Sequence, residues 1–141
     1  MKPTLYFQNP YQKTVESLFA LICGGLVAYS LQLLLWDNAY WVLSVCGAVC
    51  FCFLYRLCAA YPRSILPLRA LTAALFFTTV ELIAGCWLNL NLGLNLWDYS
   101  ALPLHFMGQT CLSSALVWFL LCFPLAGISQ LIRRKVFLCD E

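Results

Sequence analysis

Long apolar runs dominate the chain and set its fold class. Four of them, at about residues 15–36, 39–58, 68–89 and 105–129, come near the ~20 residues that cross about 30 Å of hydrocarbon at a rise of about 1.5 Å each. Backbone amides in lipid must be satisfied internally, so only helices and closed barrels span a membrane, and these runs lack a barrel's short alternating strands. The pattern predicts an all-α polytopic membrane protein, with residues 1–141 forming one transmembrane domain of four helices. One stretch breaks the rhythm. In CWLNLNLGLNLWDYS, residues 86–100, leucine alternates with polar or small residues from Asn89 to Leu96, which is the period of a strand.

Composition strengthens the membrane reading. Only 10% of residues are charged and the mean hydropathy is +0.84, whereas a soluble domain carries about 25% charged residues. The charges also orient the chain. Lys2 and Lys13 precede the first run, Arg56, Arg63 and Arg69 flank the second connection, and Arg133, Arg134 and Lys135 follow the fourth. All eight cations therefore fall on one side, with Asp37 and Asp98 on the other. The positive-inside rule then places both termini in the cytoplasm of a multi-pass cell-membrane protein and argues against a dual-topology dimer. The first run is too long for a signal peptide, and Trp36-Asp37-Asn38 is no small-residue cleavage site, so the first helix is expected to be retained.

Nine cysteines invite a search for disulfides or metal. All but Cys58 and Cys139 fall in predicted spans, those two lie toward the reducing cytoplasm, and no C-x-x-C pair occurs. They read as small packing residues. No metal or other cofactor is expected.

Small residues four apart mark close helix contacts in lipid. Gly24, Ala28 and Gln32 form such a stripe in the first span, and Ser44, Ala48 and Cys52 form another in the second, leading to Arg56. The third span carries Glu81, read as the one acid with no easy escape to an interface. It lies about 12 Å along a helix from Asn89. A bare carboxylate there must be protonated, paired or facing a wet cavity, and is a functional candidate by default. Its plain structural alternative is a neutral Glu hydrogen-bonding between helices. Gly85 and Asn89 follow on the same face. In the fourth span His105, Gln109 and Ser113 make a matching polar line at helical spacing, with Gly108 and Ser114 beside it and Trp118 further in. These two faces predict a polar pocket between the third and fourth spans, open toward the external side.

The alternating stretch joins those spans. An extended path puts Leu90, Leu92, Leu94 and Leu96 on one edge and Asn89, Asn91 and Asn95 on the other, with a bend at Gly93. The segment is expected to be interfacial or re-entrant and to cap the pocket, anchored by Trp97 and Tyr99 at headgroup level. An ordinary surface loop is the plain alternative. Asp98 is expected either to cap the fourth helix or to pair with His105, and Pro103 reads as that helix's starting signal.

These residues resemble a known family. Glu81-x-x-x-Gly85, Trp97-Asp98-Tyr99-Ser100, Pro103-x-x-x-x-Gly108 and Ser114-x-x-x-Trp118 are similar to the small four-span, CmpB-like type IV ABC-transporter permeases, over about the C-terminal half of the chain. The resemblance implies a polytopic membrane protein with those residues as its signature. Where the family pattern has Asn two residues after the proline, this chain has His105, a departure that implies pH sensitivity.

Three functions follow. In the first, the chain is a permease-like transport protein or subunit, with Glu81 responding to protons or cations and Asp98 and His105 near the external mouth. A homo-oligomer is expected, because four spans enclose little space. No G-x-x-x-x-G-K-[ST] loop is present, so any ATP-hydrolysing subunit would be a separate polypeptide. In the second, the chain is an intramembrane enzyme acting on a lipid or lipid-linked substrate, with Glu81 or Asp98 as acid or base and His105 as partner; no nucleophile or metal motif marks it. The third is a non-catalytic assembly protein. Membrane lipids are expected partners, and a net charge of +2 is too small for a nucleic-acid footprint.

Overall fold

The computed structural model describes residues 10–36 and 40–137. Lys2, Asp37 and Cys139, which entered the orientation and redox arguments above, lie outside the described residues. Four helices form: α1 (Pro10–Trp36), α2 (Trp41–Ala60), α3 (Leu66–Gly85) and α4 (Leu112–Lys135). A π-helical turn over Cys86–Asn91 extends α3, and a short antiparallel hairpin, β1 (His105–Phe106) with β2 (Thr110–Cys111), precedes α4. The four helices are long and apolar enough to cross a membrane.

Glycine brings α1 and α2 together. A Cβ on Gly24 would stand 2.7 Å from Phe51 Cβ and 3.2 Å from Ala48 Cα, and one on Gly47 would collide with Ala28 Cβ. The two small-residue stripes thus face each other, as lipid-embedded helices require for van der Waals contact. Gln32 closes the far end of this pair. Its Nε2 donates to Ser44 Oγ at 3.1 Å, and its Oε1 accepts the Tyr40 N–H at 2.9 Å. On the other flank of α2, Leu54 and Cys58 pack with Ala70, Ala73, Ala74 and Phe77 of α3 and with Cys122 and Ala126 of α4.

The fourth helix begins at Leu112, not near residue 105, and runs on to Lys135. The hairpin takes the intervening residues. Met107 and Gly108 have φ of 53° and 69°, and the Gln109 N–H donates to Phe106 O at 3.0 Å, the signature of a tight hairpin turn. Cys111 caps α4: its Sγ accepts the Ser114 N–H, and Ser114 Oγ accepts the Cys111 N–H, each at 3.3 Å. Pro103 therefore does not start the helix, and Asp98 does not cap it.

The expected strand-like path fails at its start. Asn89–Asn91 stays helical, in the π turn, and the chain leaves the helix only near Leu92 and Gly93, whose φ is 67°. The three asparagines share no polar edge. Asn89 is buried while Asn91 and Asn95 are exposed, and Leu90, Leu92 and Leu94 are exposed as well.

Candidate functional site

Glu81, on α3, sits where three hydroxyls converge. Its Oε1 accepts from the Tyr99 hydroxyl at 3.2 Å, and its Oε2 accepts from Thr110 and Ser114, each at 2.9 Å. The single Ser114 hydrogen is also within reach of Cys111 O at 3.0 Å, so it serves one acceptor at a time. Among the described residues no Lys, Arg or His lies within ion-pairing distance of this carboxylate; the ion pair found joins Arg133 and Glu16. Burial holds the Tyr99 phenol well above its usual range, and the charge and hydrogen bond of Glu81 push it the same way.

Beside the carboxylate is a cavity of about 270 Å³, lined by Glu81, Tyr99, Cys111 and Ser114 together with Leu102, Ser113, Val117 and Trp118. Leu102, Ser113 and Val117 are exposed, so the cavity reaches the outer surface of the bundle. The Trp118 ring packs edge-on against Phe77 at a centroid distance of 5.6 Å, and its buried Nε1–H meets no hydrogen-bond partner among the described residues.

A second network holds the connection in place. Asn89 Nδ2 donates to Trp97 O at 3.0 Å and to Gln109 Oε1 at 2.8 Å, while its Oδ1 accepts the Leu96 N–H at 2.7 Å. Trp97 Nε1–H donates to Gln109 O at 2.9 Å. The Gln109 side chain lies where Gly85 leaves room, since a Cβ there would come within 2.7 Å of Gln109 Oε1 and 2.8 Å of its Cβ. Trp97 and Tyr99 thus turn their polar ends inward, onto Gln109 and Glu81.

The structure therefore joins Glu81, Tyr99, Ser113 and Trp118 at the cavity, and Gly85, Asn89, Trp97 and Gln109 in the supporting network. The remaining predicted residues separate from both. Asp98 accepts from the Ser100 N–H at 2.8 Å and from the Ser100 hydroxyl, bonds that hold its carboxyl below the usual range, with His105 adding a smaller pull. His105 is exposed, and its Nδ1 accepts the Gly108 N–H at 3.2 Å. No ion pair joins it to Asp98 among the described residues. Pro103 is exposed in the turn before the hairpin. Gly108 has a positive φ, and a Cβ on it would clash with Ser100 Oγ and approach Asp98 Oδ1 to 2.9 Å, so it serves the turn rather than a helix face. The line His105, Gln109, Ser113 does not exist as a helical face, because the first two precede α4.

Thr110 escaped sequence reasoning altogether, and Ser114 was placed beside the wrong stripe. The four-residue spacing of Thr110 and Ser114 is as regular as that of His105, Gln109 and Ser113. The Met107-Gly108 pair was the signal that a turn, not a helix, precedes Thr110. Glu81 is also not the only deep acid. Glu16 of α1 is fully buried, accepting from the Tyr55 hydroxyl at 3.1 Å with Arg133 Nε 4.0 Å away.

Four helices long and apolar enough to cross a membrane point to an integral membrane protein. Residues 45–139 match the family described as "Putative ABC-transporter type IV", and the chain belongs to that family. The matched region contains the whole Glu81 site and leaves out α1 entirely. Comparisons with curated proteins and with solved structures return no match.

Proposed function

We propose that the protein is a permease-like transport component of the cell membrane, with both termini cytoplasmic and with Glu81 as its proton- or cation-responsive group. One observation carries this reading: a carboxylate held by three hydroxyl donors, with no cation beside it among the described residues, faces a cavity between α3 and α4. A carboxylate so placed is open to a proton or a cation, whereas Glu16, the other deep acid, has Arg133 beside it. Four spans alone enclose little space, so the working unit we propose is a homo-oligomer in contact with membrane lipid, or an assembly with a separate ATP-hydrolysing subunit. Family membership supports an assembly with other subunits.

The lipid-acting enzyme is the weaker reading. With Glu81 as acid or base it needs His105 near that carboxylate, and His105 is exposed and does not line the cavity; with Asp98 instead, both groups lie at the exposed surface away from the cavity. Native mass spectrometry of the tagged protein, gently extracted from its own host membrane, tests the transport reading. The expected species is an oligomer or a complex with a nucleotide-binding subunit. A monomer with no protein partner would overturn it.

A further inference from the structure

We infer that the Glu81 cavity binds an organic cation, a substituted ammonium group on a small apolar body. This rests on the reading of Glu81 as the cation-responsive group, and it names the ligand class. The charge argument comes first. Tyr99, Thr110 and Ser114 donate to Glu81 without neutralising it, and the titratable groups facing it are Tyr99 from the connection, Cys111 at the start of α4 and Cys50 from α2. Phenols and thiols are ordinarily uncharged at neutral pH. Among the described residues lining the cavity, Glu81 is then the one that carries a formal charge, negative when ionised.

The lining decides which cation. A divalent metal ion is ordinarily held by several charged or strongly donating side chains that replace its water, and among the described residues no group of three His, Cys, Asp or Glu occurs. The walls are instead the rings of Tyr99 and Trp118 and the aliphatic side chains of Leu102 and Val117. Aromatic faces attract ammonium groups, whose weak hydration is given up at low cost. The cavity of about 270 Å³ has room for on the order of ten non-hydrogen atoms. Its opening past exposed Leu102 and Val117 lies on the flank of the bundle, so an amphiphilic cation could enter from the side.

The same chemistry occurs in water-soluble amines and in lipid headgroups. Binding of benzyltrimethylammonium to the purified full-length chain, followed by calorimetry in a maltoside detergent, tests the inference, with benzyl alcohol as the uncharged comparison. Saturable binding is expected for the cation alone. Glu81→Gln keeps an acceptor oxygen for one side of the site and offers an amide N–H to a hydroxyl oxygen on the other, and should weaken binding by at least about thirtyfold. Val117→Trp fills the cavity from its exposed side and should abolish binding with the melting temperature retained. Equal binding by Glu81→Gln, equal binding of benzyl alcohol, or no saturable binding would overturn the inference.

Repeating the titration in nanodiscs separates the two sources. If phosphatidylethanolamine competes and phosphatidylglycerol does not, the occupant is a lipid headgroup; if neither competes, it is a soluble cation, and both results uphold the ligand class. Flux in proteoliposomes is scored apart from binding. Glu81-dependent binding without flux, alone or with the co-purified partner, would sink the transport reading and leave the cation site standing. Flux without cation binding would do the reverse.

Discussion

Two glutamates in this bundle are built alike and differ in one respect. Glu16 accepts from the Tyr55 hydroxyl at 3.1 Å, and Glu81 accepts from the Tyr99 hydroxyl at 3.2 Å. Glu16 is fully buried, with Arg133 Nε 4.0 Å away, so α1, α2 and α4 meet around a compensated charge. Glu81 is half-buried, surrounded by hydroxyls, and beside a cavity. A charge with a fixed counter-charge ties helices together. A charge held only by dipoles remains available to a proton or a ligand, so compensation rather than burial separates the structural acid from the functional one.

The largest expected effect falls on the compensated site. Arg133→Met removes the counter-charge of a fully buried acid, and such half-broken pairs cost about 3–5 kcal/mol. Thermal unfolding in detergent should show it. Adding Glu16→Leu to the same chain should recover most of the loss, since an apolar pair of similar volume is often as stable as the ion pair it replaces. If Arg133→Met melted with the wild type, Glu16 would not be the structural member of the pair. Glu81→Gln, by contrast, should stay within about 1 kcal/mol of wild-type stability, because the amide oxygen can still accept hydroxyl hydrogens.

Next in size is the network that carries Tyr99 to Glu81. Asn89→Leu deletes all three of the Asn89 side-chain bonds to Leu96, Trp97 and Gln109. Each buried group left unpaired costs about 1–3 kcal/mol. Amide hydrogen exchange over residues 92–111 should rise while α1 and α2 keep their protection. Uniform loss of protection would show that the Asn89 network supports the whole bundle. Gly85→Ala acts on the same network from behind, pressing a methyl group into Gln109, and overpacking of this kind costs about 1–3 kcal/mol.

The four helices were legible because hydrophobic length is a strong signal, and so was Glu81, because an acid inside an apolar run stands out. The α1–α2 contact was legible for a similar reason: Gly24 and Ala28 lie one turn apart, and their spacing survives any small error in helix ends. The region from 92 to 111 was not. Met107 and Leu104 adopt positive φ without being glycine, and Cys111 caps a helix in place of the usual Ser, Thr, Asp or Asn, so Gly108 was the one local hint of a turn before Thr110. One misplaced helix start then shifted the polar face from Thr110 and Ser114 to His105, Gln109 and Ser113. The Glu16 and Arg133 contact was hidden differently, because residues near opposite ends of the chain leave no mark in a periodic pattern.

The smallest effects are pH effects, and they have opposite signs on the two sides of the connection. Tyr99 keeps its proton longer in the folded chain than in the unfolded one, chiefly through burial and then through Glu81. Its contribution to stability is complete below about pH 10, the ordinary phenol value, and declines as pH rises from there through the folded value. Asp98 runs the other way. Ser100 lowers its pKa, so its contribution is complete above about pH 4, the ordinary carboxylate value, and is lost as pH falls through the folded value. Asp98 is exposed, and its share is accordingly the smaller. Melting temperatures of wild type, Tyr99→Phe and Ser100→Ala across this range separate the two. Tyr99→Phe should remove part of the alkaline decline and leave the acid limb unchanged, while Ser100→Ala should flatten only the acid limb. An unchanged alkaline limb in Tyr99→Phe would mean that this phenol does not feel the Glu81 charge when the chain is folded, and the uncompensated state of that carboxylate would lose its support.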